Sequence, residues 1–139
     1  MLKIPKTVLD GVISSVEASY PEEGCGLLVG FIDRGVRVVT TSIATRNTYS
    51  KSRRNRYAID PLEYMRVEEA AIKDGRQVIG VFHSHPDSPA VPSRYDTEYA
   101  LPLFTYLIIS VWRGRAEQVM AWQLDEVRGE FFQERIEVT

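Results

Sequence analysis

Histidine and cysteine are scarce in this 139-residue chain, which has two of the first and one of the second. The lone Cys25 forbids an internal disulfide and excludes zinc modules built on several cysteines. An excess of either charge is also missing. Lys and Arg number 17 against 19 Asp and Glu, a net charge of −2, which leaves no basic footprint for nucleic acid. The longest apolar runs have strand length, well short of the roughly 20 residues of a membrane-spanning helix. Lys3, Lys6 and Asp10 interrupt the run a signal peptide needs, so a cytoplasmic protein without a membrane partner is expected. Repeats, low-complexity tracts and interdomain linkers are absent. The length is too small for a (β/α)8 barrel yet sufficient to bury a core, so residues 1–139 are expected to form a single domain.

What is present reads as alternating helices and strands. Val8, Leu9, Val12, Ile13 and Val16 share one helical stripe, predicting an amphipathic helix from Pro5 to about Ser19 that stops before Pro21. Cys25–Ile32 reads as a buried strand, Asp33-Arg34-Gly35 as a turn, and Val36–Ala44 as its hairpin partner. Arg46–Arg56 is a polar, basic loop, followed by a short extended piece, Tyr57–Asp60. Asp60 as N-cap, Pro61 and then Glu63 open a second helix, which ends at Asp74-Gly75. Val78–Phe82 is an apolar strand that delivers His83-Ser84-His85. Pro86, Pro89 and Pro92 keep the next stretch irregular, and a short helix runs from Ser93 to about Ala100. Strands Phe104–Trp112, Ala116–Leu124 and Glu130–Val138 follow, with Trp112 and Trp122 expected in the core. The order α-β-β-α-β-α-β-β-β predicts an α/β fold, a mixed β-sheet flanked by helices.

Both histidines fall in one tripeptide. Positions i and i+2 of a strand project to one face, so His83 and His85 converge and supply half of a tetrahedral metal site. A catalytic site adds a third protein ligand and keeps one position open. Asp87 and Asp96 compete for that place. With Asp87 the pattern is His-x-His-x-Asp, as in dinuclear metallo-β-lactamase sites, which need histidines this chain does not have. A zinc deaminase needs a Pro-Cys-x-x-Cys segment, also missing. A mononuclear His83, His85, Asp96 set is what remains, with Asp87 on the loop surface.

Three segments together resemble the JAMM (MPN-plus) metalloprotease family. His83-Ser84-His85-Pro86 and Pro92-Ser93-Arg94-Tyr95-Asp96 are similar to its His-x-His-Pro…Ser-x-x-Asp signature, with ten residues between His85 and Asp96. Upstream, Pro21-Glu22-Glu23-Gly24-Cys25-Gly26-Leu27-Leu28 resembles the Pro-x-Glu-x-Cys-Gly-Leu-Leu segment of short bacterial members. The resemblance implies one Zn2+ per chain on His83, His85 and Asp96, with Glu23 as general acid/base and Ser93 as donor to the developing oxyanion. Zinc brings the pKa of its water toward about 7, and a nearby carboxylate can carry the proton to the leaving amine. Glu22 competes with Glu23, but adjacent strand residues face opposite ways, and the family spacing selects Glu23. Ser93 also reads as a helix N-cap, a role compatible with the first. Ser84 is expected to orient a ligand by hydrogen bonding. Cys25, inside an apolar strand, reads as a buried small residue rather than a nucleophile.

The implied reaction is hydrolysis after the C-terminal Gly-Gly tail of a ubiquitin-like sulfur-carrier protein, releasing cysteine or extra C-terminal residues. Deubiquitination, processing of some other protein by a related metallopeptidase, and a noncatalytic scaffold are the alternatives; the scaffold is disfavoured because all four metal-site positions are filled. In the basic loop, Arg53 and Arg54 are candidate contacts for an acidic partner or a terminal carboxylate, against a plainly solvated loop. Asn47 is a candidate contact for a peptide backbone. The oligomeric state stays open, a homodimer included.

Overall fold

Unbroken apolar runs, such as those of residues 25–32 and 78–82, require strands covered on both faces. The computed structural model describes residues 1–98, 100–101 and 103–139. Its elements are β1 (Leu2–Ile4), α1 (Lys6–Ser19), β2 (Cys25–Asp33), β3 (Val36–Thr45), α2 (Pro61–Lys73), β4 (Gln77–Pro86), α3 (Arg94–Glu98), β5 (Thr105–Trp112), β6 (Arg115–Asp125), β7 (Glu130–Glu134) and β8 (Ile136–Val138). The strands form one sheet ordered β7-β6-β5-β4-β2-β3-β1-β8. β4 lies parallel to β5, and β1 lies parallel to β3 and β8. The other neighbours are antiparallel, so the sheet is mixed, as expected.

Successive residues of β2 serve two cores. Leu28 joins Val12, Val16 and Phe82 under α1, whereas Leu27 and Val29 join Val78, Val81 and Ala71 under α2. The helices therefore cover opposite faces, and each fully buried Leu or Ile contributes about 1.5–3 kcal/mol. Gly26 has a packing reason. A Cβ there would lie 2.3 Å from the Phe82 ring and 2.4 Å from the Ile43 carbonyl oxygen. The Asp60 carboxylate accepts the Leu62 N–H at 2.9 Å, capping α2, and Gly75 turns the chain with φ +70° after it.

Four expectations need correction. β1 was not expected; three residues are too few to show a period, yet Leu2 and Ile4 are fully buried. The single terminal strand expected over Glu130–Val138 is two strands, with Arg135 between them. β7 pairs with β6 and β8 with β1, at opposite margins of a sheet that would be about 34 Å wide if flat. One residue cannot cross that width, so the sheet curls until its margins meet. The Leu2 N–H fastens the seam by donating to the Arg135 carbonyl at 2.8 Å. The expected helix over 93–100 is shorter, Arg94–Glu98, and residue 99 lies outside the described residues. Trp112 is 39% exposed at the end of β5 rather than in the core. Trp122 does pack against the α2-side core and donates its indole N–H to the Ala90 carbonyl at 3.0 Å. No helix among the described residues is long and apolar enough to cross a membrane.

Candidate metal centre

β4 continues past its apolar run, so His83 and His85 are strand residues on the face that also carries Val81. Their Nε2 atoms lie 3.3 Å apart. Asp96, in the first turn of α3, brings Oδ1 to 3.2 Å from His83 Nε2 and Oδ2 to 3.0 Å from His85 Nε2. A reciprocal cap sets that turn. The Asp96 N–H donates to Ser93 Oγ at 3.1 Å, and the Ser93 N–H donates to Asp96 Oδ2 at 2.7 Å. Ser93 Oγ accepts in this cap, and its own O–H stays free to donate.

The tautomer of His85 follows from its neighbour. Its Nδ1 lies 2.8 Å from the Pro89 carbonyl oxygen, which can only accept, so Nδ1 carries the proton. In the neutral ring Nε2 is then a lone pair facing an Asp96 oxygen, an arrangement that calls for a proton or a metal ion between the two atoms. A tetrahedral zinc bonded at about 2.0–2.1 Å holds its ligand atoms about 3.3 Å apart, close to the three separations seen here. The donor set fits a metal ion.

Glu23 comes from the segment before β2. It is 3% exposed, its carboxylate clusters with both histidines within 4.8 Å, and its Oε1 has no hydrogen-bond partner among the described residues. The Glu23 N–H donates to the Arg53 carbonyl at 2.6 Å, and Asn47 Nδ2 donates to the Glu23 carbonyl at 3.1 Å. Ser84 Oγ accepts the Gly24 N–H at 2.8 Å, so this hydroxyl anchors the residue beside Glu23 rather than an imidazole ring. Glu22 turns the other way, pairing with Arg53 Nε at 2.9 Å with half its side chain exposed.

Burial, with Asp96 as the second cause, pushes the Glu23 carboxyl up to about 9. Burial also lowers the His83 pKa, which favours the neutral ring. Burial opposes ionisation of Asp96 as well, yet the two histidines and the Ser93 N–H together hold its carboxyl well below the usual carboxylate range. The Cys25 thiol is pushed up to about 11, chiefly by burial, which denies it nucleophilic work at neutral pH.

The loop residues are placed differently from expectation. Asn47 was expected to meet a peptide backbone, but its amide is used internally. Its Nδ2 holds the Glu23 and Arg56 carbonyls, and its Oδ1 accepts the Tyr49 and Ala58 N–H groups. Arg53 is engaged by Glu22, whereas Arg54 is exposed. Arg56 lies over the Tyr95 ring, 3.5 Å from its centroid, and donates to the Tyr49 hydroxyl, joining the loop to α3. Sequence reasoning passed over Tyr57, whose ring stacks on His83 with centroids 4.5 Å apart. A cavity of about 370 Å³ opens beside Asp96, walled by Leu27, Tyr57, Tyr64, Val81, Phe104 and Tyr106.

A curved mixed sheet with a buried His-His-Asp cradle and a second carboxylate beside it defines an α/β domain built around one candidate metal centre. Over residues 5–125 the chain matches the prokaryotic homologs of the JAB domain, and it belongs to that family. It is similar to a desampylase of Haloferax volcanii, with 40% identity over 91 residues, 65% of this chain and 63% of that protein. It is similar to a probable TtuB-protein conjugate cleaving protease of Thermus thermophilus, with 30% identity over 116 residues, 84% of this chain and 74% of that one. The alignment thus spans a little under two thirds of the Haloferax relative. A solution structure of a Desulfitobacterium hafniense protein shares the fold, with a TM-score of 0.87 and 28% identity over 100% of this chain and 93% of that one.

Proposed function

We propose that this chain, over residues 1–139 as one catalytic domain, is a zinc-dependent peptidase acting on a ubiquitin-like sulfur-carrier protein. It hydrolyses the bond after the carrier's C-terminal Gly-Gly tail, in the cytoplasm, with one zinc ion per chain. The observation that carries this reading is the closed triangle of His83, His85 and Asp96 with the buried Glu23 carboxylate against it, its Oε1 without a hydrogen-bond partner among the described residues.

In this proposal His83 Nε2, His85 Nε2 and Asp96 hold the metal. Zinc there supplies Lewis acidity and an activated water at neutral pH. Glu23, whose Oε1 has no hydrogen-bond partner among the described residues, would accept the proton of the attacking water and return it to the leaving amine. The Ser93 hydroxyl, whose oxygen already accepts the Asp96 N–H, donates its hydrogen to the oxygen that gains charge. Ser84 and Asn47 hold the two ends of the peptide group between Glu23 and Gly24, and the Arg53 carbonyl holds the Glu23 N–H, so the carboxylate is aimed before substrate arrives.

The leaving side of the bond is either free cysteine or another protein. The Thermus relative is named for cleaving protein conjugates, which favours a conjugated protein as the main leaving group. The test is mass spectrometry of a carrier ending in Gly-Gly, joined to cysteine or to a second protein, before and after incubation with the zinc-loaded chain. Release of the carrier at Gly-Gly that stops with a chelator is the expected result. Intact conjugates of both kinds overturn the reading.

A further inference from the structure

The two histidines are held by different means. His85 is oriented through Nδ1 by the Pro89 carbonyl, whereas His83 Nδ1 is buried with no hydrogen-bond partner among the described residues. The usual device for fixing a ligating imidazole, a hydrogen bond on its far nitrogen, is thus missing at one of the two rings. What His83 has instead is the Tyr57 ring, with centroids 4.5 Å apart and planes 22° from parallel. We propose that Tyr57 is a positioning residue for the metal centre, holding His83 in its ligating orientation by stacking in place of a hydrogen bond. The inference rests on the proposed metal site and adds a residue outside its motifs.

The backbone around Tyr57 is built to hold that ring still. Asn47 Nδ2 binds the Arg56 carbonyl at 3.0 Å, and Asn47 Oδ1 accepts the Ala58 N–H at 3.2 Å. The Thr48 N–H donates to the Ala58 carbonyl at 2.9 Å. The peptide groups on both sides of Tyr57 are therefore tied to the residues that follow β3, and the same Asn47 amide grips the Glu23 carbonyl. On its pocket side Tyr57 walls the cavity that Asp96 also lines, so the ring stands between His83 and that cavity.

The test compares zinc affinity, by competition with a chromophoric chelator, in wild type, Tyr57→Leu, Tyr57→Phe and Tyr64→Leu. Tyr64 walls the same cavity but is not stacked on a histidine, so it reports on packing alone. Tyr57→Leu is expected to bind zinc about 2- to 12-fold more weakly, the range of a lost aromatic stack. It is also expected to shift the visible absorption of the cobalt-substituted protein. Tyr57→Phe and Tyr64→Leu should stay near wild type in both measurements. Wild-type affinity and spectrum in Tyr57→Leu overturn the proposal, as does an equal loss in Tyr64→Leu or a failure of Tyr57→Phe to restore binding. As a check independent of that variant's folding, His83 ring protons in the wild type should resonate upfield of a free imidazole, and unshifted resonances overturn the stack. A wild type that binds no zinc overturns the functional reading itself.

Discussion

Replacing Glu23 by glutamine separates the cost of a buried carboxyl from its chemistry. Glu23 is 3% exposed, and burial, with Asp96 second, lifts its pKa from an ordinary 4.5 to about 9 in the metal-free fold. The folded value lies above the unfolded one. The neutral acid's contribution is therefore whole below pH 4.5 and is lost as pH rises toward 9. Across that window each pH unit costs about 1.4 kcal/mol, so at pH 7 the metal-free protein carries a penalty of about 3 kcal/mol. That is a large share of the roughly 5–15 kcal/mol that holds a typical domain together. Glutamine keeps the shape and does not titrate. In denaturant unfolding of metal-free protein, Glu23→Gln should match wild type near pH 4.5 and exceed it by about 3 kcal/mol at pH 7. Zinc should narrow the gap, because a nearby cation favours the carboxylate. Hydrolysis by the variant should fall about 10²- to 10⁴-fold, the usual worth of a general base. Identical pH slopes for the two proteins would refute the burial argument, and undiminished turnover would refute the role given to Glu23.

Metal analysis of His85→Ala should find zinc lost from a site that holds about one ion per chain in wild type, and full retention would dismantle the His-His-Asp cradle. Ser93→Ala should cost about 0.5–2 kcal/mol of stability through the lost cap and separately lower kcat. Ser93→Thr, which keeps both the acceptor and the donor, should recover both, and thermal melts run beside kinetics read the two effects apart. Ser84→Ala leaves the buried Gly24 N–H without its hydroxyl acceptor and should destabilise the fold by about 1–3 kcal/mol. Its kcat should fall while zinc content stays unchanged, and zinc loss in this variant would return Ser84 to the ligand-orienting role expected from sequence.

The parts of the centre legible in sequence are those whose geometry is local. His-x-His on a strand places both rings on one face by pleat alone, and Ser93-x-x-Asp96 is a capping pattern that aims its own carboxylate. Asp60-Pro61 announced α2 for the same reason. What escaped depends on contacts distant in sequence. β1 is too short to carry a pattern, and the break at Arg135 follows from the curling of the whole sheet, which no local run encodes. Tyr57 and Asn47 sit in aperiodic chain, and their contacts to the site, the His83 ring and the Glu23 carbonyl, are made with residues more than twenty positions away. Trp112 was misplaced because a strand-end tryptophan has the same local pattern whether its ring turns inward or out.

Register is what joins the two halves of the site. Cys25 pairs with His83 across β2 and β4, so the two segments run antiparallel with Gly24 opposite Ser84 and Glu23 brought level with His85. Side chains alternate along the chain, and a slip of one residue would turn Glu23 outward and present Glu22 to the histidines instead. Three features hold the pairing. The Ser84 N–H donates to the Gly24 carbonyl at 3.0 Å while its hydroxyl accepts the Gly24 N–H, so one serine closes both backbone groups of the glycine. Gly26 admits the Phe82 ring opposite, a fit that a side chain at the shifted position would not allow. Arg53 takes Glu22 on the outer side and offers its carbonyl to the Glu23 N–H. The motif around residues 21–28 is therefore a device for placing one carboxylate: its glycines and its paired acids have separate physical tasks, and all of them serve to keep Glu23, not Glu22, against His83 and His85.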